Sequence, residues 1–195
     1  MRGKATLQRR LVRVLMFGAA LGWLPPGAIG CGYHDDVSLA RGLLNWIYPD
    51  ALHVVGAIST AVAERRLPPA APVQGALGLV GYHGTVRALE RHAQQLRMSS
   101  DEMPRPTFSL LLIEPMLWTR FVSDGGDVRM QVHVSGPQAG ELVVISGEDV
   151  IREIAGNRLS IGEAHRHGLI RLYGREDQVV LFVSRYAEVG RRPPE

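Results

Sequence analysis

The hydrophobic pattern of this chain changes its period near residue 107. Before that point apolar residues recur at helical spacing. Asp36 can cap a helix over Val37 to Ile47, with Leu39, Leu43, Leu44 and Ile47 on one face. Tyr48-Pro49 interrupts it, because the proline pushes Tyr48 out of the helical region. A second helix is expected from Pro49 or Asp50 to Arg66, striped by Leu52, Val55, Ile58 and Val62. Prolines at 68, 69 and 72 stop it. A third runs from Gly75 to Arg97, with Val80, Val86, Leu89 and Leu96 inward. Residues 98–106, with Ser, Asp and two prolines, read as a linker.

Beyond the linker the spacing suits strands. Thr107 to Glu114 is apolar on both faces, as in a central strand, and Leu117 to Val122 is a second. After Gly125-Gly126, Val128, Met130, Val132 and Val134 point inward from a third strand. Leu142 to Ile145 is a short β-branched run. Ser146 then caps a helix carrying Val150, Ile151 and Ile154, and Gly156-Asn157 supplies a left-handed stop. Ser160 and Glu163 form a capping box for a short helix that Gly168 closes. Leu169 to Tyr173 returns as a strand, and Gln178 to Tyr186 reads as the last one. The expected class is α+β: a helical segment over 31–97, then an α+β domain over 107–187 and a tail over 188–195.

Charge changes this picture in one respect. The net charge of +3 is set by the first thirty residues, which carry Arg2, Lys4, Arg9, Arg10 and Arg13 and no acid. Without those five, 17 basic residues face 19 acidic ones. No basic face remains for a nucleic-acid role. The leader itself has a basic start, an apolar run from Val14 to Leu24, and a break at Pro25-Pro26. It reads as a signal peptide over 1–30, too short to be the ~20-residue span of a membrane helix. An exported, periplasmic protein is expected.

Ala28-Ile29-Gly30 precedes Cys31, the only cysteine in the chain. The run resembles the bacterial lipobox, with Ala28 in place of the usual leucine. That resemblance implies an acylated Cys31 and a membrane anchor; an ordinary signal peptidase could cut the same bond. With one cysteine there is no internal disulfide, so the fold rests on its core.

The C-terminal part resembles the sterol carrier protein type 2 family. The likeness lies in Ile145-Ser146, Asp149-Val150 and Ile154-Ala155-Gly156, then Leu159-Ser160, Glu163-Ala164, Gly168-Leu169-Ile170 and Gly174. It implies a five-stranded sheet covered by helices, enclosing an apolar tunnel for lipids or other hydrophobes. It covers roughly residues 105–185, and its specific part about thirty of them. Arg175-Glu176-Asp177 and the strand expected after Gly174 depart from the family at the tunnel mouth. Residues 31–97 have no counterpart.

The apolar face of this half comprises Leu110, Leu112, Trp118, Phe121, Val132, Val143, Ile145, Ile154, Leu159, Leu169 and Leu172. These residues suit a filled core, since burying each stabilises by ~1.5–3 kcal/mol. As implied by the resemblance, they line a cavity for a hydrophobic small molecule or lipid. Such a protein needs no cofactor and makes no covalent intermediate. A competing reading is a periplasmic metal-binding accessory protein using Cys31, His34, Asp35, Asp36 and His53, whose thiolate and imidazole groups suit copper or zinc. Acylation of Cys31 would remove that thiolate. A third is a structural lipoprotein whose core is simply full. His165-Arg166-His167 sits where a helix C-terminus favours cations, and His83 and His92 fit an amphipathic helix. No nucleophile motif, zinc-protease motif or phosphate loop points to an enzyme.

Overall fold

A computed structural model describes residues 38–69, 77–99, 104–124 and 127–191. The leader, Cys31, His34, Asp35 and Asp36 lie outside these residues. Three helices come first: α1 (Ser38–Ile47), α2 (Ala51–Ala63) and α3 (Leu77–Met98). Then follow β1 (Phe108–Leu112), β2 (Leu117–Asp124), β3 (Asp127–Val132) and β4 (Leu142–Ser146). Helices α4 (Glu148–Ala155) and α5 (Ile161–Arg166) lead into β5 (Ile170–Tyr173), and α6 (Glu176–Tyr186) closes the chain. The strands form one five-stranded mixed sheet in the order β3-β2-β1-β4-β5. Only the β1–β4 pair is parallel, with Leu110 opposite Val144. The class is α+β, as the sequence predicts.

Helix α5 forms where its capping box is. Ser160 Oγ accepts from Glu163 N, and the Glu163 carboxylate accepts from Ser160 N. Gly168 follows in the left-handed region at φ 70°, the conformation glycine adopts at no cost. At the end of α4 it is Asn157, not Gly156, that takes positive φ, at 55°. Ser146 does not cap α4; Gly147 holds that position. The Ser146 hydroxyl instead donates to the Leu169 carbonyl across the sheet end, at 2.9 Å.

The last expected strand is a helix. Gln178 to Tyr186 lies within α6, not at a sheet edge. The run Val179 to Val183 is continuously apolar and includes three valines, which suggests a strand. The buried aromatic residues of the helix, Phe182 and Tyr186, are however four residues apart, and Val179 and Val183 pack beside them. The helix begins well: Glu176 and Asp177 occupy its first turn, where acids oppose the dipole, and Gln178 Oε1 accepts from Arg175 N at 2.9 Å.

The sheet is buried on both faces. One face meets α3, α4, α5 and α6 through Phe108, Leu110, Leu112, Phe121, Val144 and Ile170. The other meets α1 and α2 through Leu111, Ile113, Trp118, Val143 and Ile145. Residues on both sides of 98–106 share the first core, since Ala61, Leu89 and Leu96 belong to it. Arg97 Nε also donates to the Val128 carbonyl on β3, at 2.8 Å.

The helical stripes differ from expectation. In α1 only Leu44 is buried, while Leu39, Leu43 and Ile47 are exposed. Helix α2 seats Ala51, Val54 and Ala61, and leaves Leu52 and Val55 partly open. Ile58 and Val62 of the expected stripe do pack against the core, so the stripe holds in the second half of the helix and turns outward in the first. In α3, Leu89 and Leu96 are buried as expected, and Val80 is not. On β3, Val128, Met130 and Val132 face the first core, but Val134 packs in the second. His133 between them has φ 63°, which ends the alternation.

Candidate functional site

The layer between the sheet and helices α3 to α6 is the larger of the two buried cores among the described residues. Its centre is aromatic. Phe108 stacks on Phe121 with ring centroids 4.9 Å apart and meets Phe182 edge-on at 5.0 Å. Tyr186 lies against Phe182 at 5.3 Å. From α3, the His92 ring stands edge-on to Phe121 at 5.8 Å. Around them the expected lining residues Leu110, Leu112, Phe121, Ile154 and Leu169 are buried, with Val132, Leu159 and Leu172 partly buried beside them. Trp118, Val143 and Ile145 do not join this layer; they belong to the opposite face, with α1 and α2. Phe108, His92, Phe182 and Tyr186 are central here and were absent from the expected lining. For α6 the available signal was the spacing of Val179, Phe182, Val183 and Tyr186 at i, i+3, i+4 and i+7.

Two polar groups in this layer stand out. Buried polar groups are nearly always hydrogen-bonded. Yet Thr119 Oγ1 on β2 has no hydrogen-bond partner among the described residues, and the wholly buried His92 imidazole has only the Gln95 side chain beside it. The Gln95 side chain lies against the imidazole, and hydrogen bonding to it raises the His92 pKa. Burial dominates and pushes the imidazole pKa down from 6.5 to about 4. His92 is therefore neutral in the folded protein over most of the accessible pH range.

This has a measurable consequence. Between pH 6.5 and about 4 the unfolded chain accepts a proton that folded His92 refuses. Stability is full above pH 6.5 and falls as the pH drops through that window, by about 3 kcal/mol in all. Glu114 and Asp149, whose carboxyl pKa values are raised mainly by burial, act in the opposite sense and lose stability as pH rises. Denaturant titrations of wild type and His92→Leu at several pH values separate the two. His92→Leu should gain stability relative to wild type as pH falls through that window; parallel curves would contradict a buried neutral His92.

A polar cluster borders the layer beneath the start of α4. The Glu148 carboxylate accepts from Thr85 Oγ1 on α3 and pairs with Arg152. Glu114 Oε2 accepts from Glu148 N at 2.9 Å. These groups tie α3 to α4 and to the β1–β2 turn. Separately, a surface groove of about 430 Å³ opens between the starts of β1 and β4 and the start of α6. Pro106, Thr107, Gln138, Glu141, Arg175 and Gln178 are among its walls. Its polar groups are engaged with one another: Arg175 pairs with Asp177 at 2.9 Å, and Gln178 Nε2 donates to the Gly140 carbonyl. None of the expected lining residues borders it.

Among the described residues no group of three or more His, Cys, Asp or Glu side chains could hold a metal ion. His53, one of the expected ligands, sits exposed on α2 and faces Asp50 at 3.3 Å. No described helix is long and apolar enough to cross a membrane.

No protein-family model matches the chain, and no curated protein matches it. Among solved structures it is similar to Sterol Carrier Protein 2 Like 2 from Aedes aegypti, at 18% identity over 53% of this chain and 97% of that one, with a TM-score of 0.38. It is similar to palmitated SCP2L2 of the same organism, in a solution structure, at 21% identity, 55% and 95% coverage and a TM-score of 0.36. It is also similar to the stereoselective inverting sec-alkylsulfatase Pisa1 from Pseudomonas sp., at 14% identity over 50% of this chain, with a TM-score of 0.34. The chain spans only 14% of that enzyme's length.

Proposed function

We propose that this protein binds a hydrophobic small molecule or lipid, without catalysis, in the layer between the sheet and helices α3 to α6. The observation that carries the reading is the aromatic layer of Phe108, Phe121, Phe182 and Tyr186, flanked by the buried His92 imidazole and by Thr119 Oγ1, which has no hydrogen-bond partner among the described residues. An amphiphile suits that combination: its tail packs among the rings as they part, and its polar end meets His92 or Thr119 Oγ1. Apolar sites with a few placed polar groups are the usual form of small-molecule pockets. No cofactor is needed, because transfer from water into an apolar space supplies the driving force.

The same proposal takes the protein to be exported. The support is the basic start, the apolar run from Val14 to Leu24 and the small residues before Cys31. Acylation at Cys31 would add a membrane anchor.

Native mass spectrometry of protein taken from its own host tests both parts. The expected result is a mature chain starting at Cys31, with the added mass of a non-covalent hydrophobe. The stripped protein should then bind a fluorescent fatty acid saturably. If it carries no adduct and takes up no fatty acid, the layer is a filled core and the binding reading fails. Metal in the same spectrum, lost in His34→Ala, would favour the metal-accessory reading instead.

A further inference from the structure

Helix α1 is amphipathic, and half of its apolar arc is left uncovered by the described residues. At about 100° per residue, Ala40, Leu44 and Tyr48 fall on one side, and these are the residues that pack in the second core. Arg41, Asn45 and Ser38 continue round the helix from Tyr48 and close the circle on its polar side. Between them lies an arc of Leu39, Leu43, Trp46 and Ile47, exposed to 77%, 49%, 86% and 63%. The sequence of α1, SLARGLLNWI, has one cation and no acid. Isolated exposed leucines are ordinary. Four adjoining large side chains on one turn-to-turn stripe, including a tryptophan, are not.

We propose that this face of α1 lies on a lipid bilayer surface. Three observations select that occupant. Trp46 has the amphipathic ring that concentrates at membrane–water interfaces, and the exposed arc around it holds no charged side chain. A ten-residue helix is about 15 Å long, so one face of it falls well short of the ~800 Å² per partner that a stable dimer buries. Finally, α1 begins seven residues after Cys31. Those residues reach at most ~25 Å when extended. Whatever holds Cys31 at a bilayer, an acyl chain or the apolar leader, holds α1 within reach of the same surface. The helix then acts as a second, reversible contact that sets the orientation of the protein.

The test uses the full chain with Cys31→Ser, which removes any acyl chain and the only thiol. A nitroxide is attached in turn at Trp46→Cys and at Arg41→Cys, and vesicles of phosphatidylethanolamine and phosphatidylglycerol are added. The label at 46 should become accessible to oxygen and shielded from an aqueous relaxant; the label at 41 should not. Replacing Leu39, Trp46 and Ile47 together by serine should weaken vesicle co-sedimentation on the order of tenfold or more, with an unchanged thermal midpoint. Equal binding by the triple variant, or two labels with the same accessibility, would overturn the proposal, because the leader alone would then account for binding. A concentration-dependent dimer that the triple serine variant abolishes, with vesicle binding unaffected, would overturn it in favour of a second copy of the chain.

Discussion

Phe108→Ala is expected to destabilise the protein by about 3–5 kcal/mol, a large share of the 5–15 kcal/mol that holds a typical domain together. Phe108 is 1% exposed and meets three aromatic rings, those of Phe121, Phe182 and Tyr186, at 4.9, 5.0 and 6.3 Å. It joins the middle strand of the sheet to α6, so its loss opens a gap that neither layer can easily collapse into. Urea titration followed by circular dichroism measures the effect. Phe108→Leu should recover more than half of it. A loss below about 1 kcal/mol for the alanine variant would mean that the rings do not pack as a unit. Added fatty acid that restores the variant would point the same way as the proposed function, by occupying the vacated space.

The second large effect concerns Glu141, at the start of β4. Its side chain is 5% exposed and faces Arg120 of β2, itself 13% exposed, across β1 at 3.2 Å. The carboxylate also accepts from Ser109 Oγ and from Gln138 N, at 2.9 and 2.8 Å. Arg120 reaches onward to the Gly136 carbonyl at 3.1 Å. Glu141→Ala strands a buried guanidinium and frees the loop before β4, at an expected cost of about 3–5 kcal/mol. Exchanging both partners, as Arg120→Met with Glu141→Leu, should restore most of that, because the unpaired charge goes too. If the double variant is no more stable than the single one, the loop hydrogen bonds rather than the ion pair set the effect. Thermal denaturation of all three chains decides between them.

How much of this was legible follows from what each signal depends on. The Ser160–Glu163 capping box depends on four consecutive residues, and α5 starts there. The alternation from Val128 to Val132 depends on a period of two, and β3 follows it. The face each strand presents depends on register, which no local pattern contains. Leu110 lies opposite Thr119, so Trp118 goes with Leu111 to the other side of the sheet. That is why the eleven expected lining residues divide between two cores. The misreading of α6 has a different origin. Val179 to Val183 is apolar at every position, which suits a buried strand and a half-buried helix equally. Packing settles it, through Phe108, to which Phe182 and Tyr186 both point from one side of a helix. The exposed arc of α1 was hidden for the converse reason. An apolar stripe in a sequence announces that it will be covered, and does not say by what.

The parallel pairing of β1 with β4 bears on how the chain can be cut or assembled. Phe108–Leu112 gains its second neighbour only from Leu142–Ser146, thirty residues downstream. A fragment ending before residue 142 leaves five consecutive buried-type positions, FSLLL, as a bare hydrogen-bonding margin. Margins of that kind recruit strands from other molecules. Such a truncation should therefore clump rather than persist as a smaller folded unit, whereas trimming beyond residue 191 spares every strand.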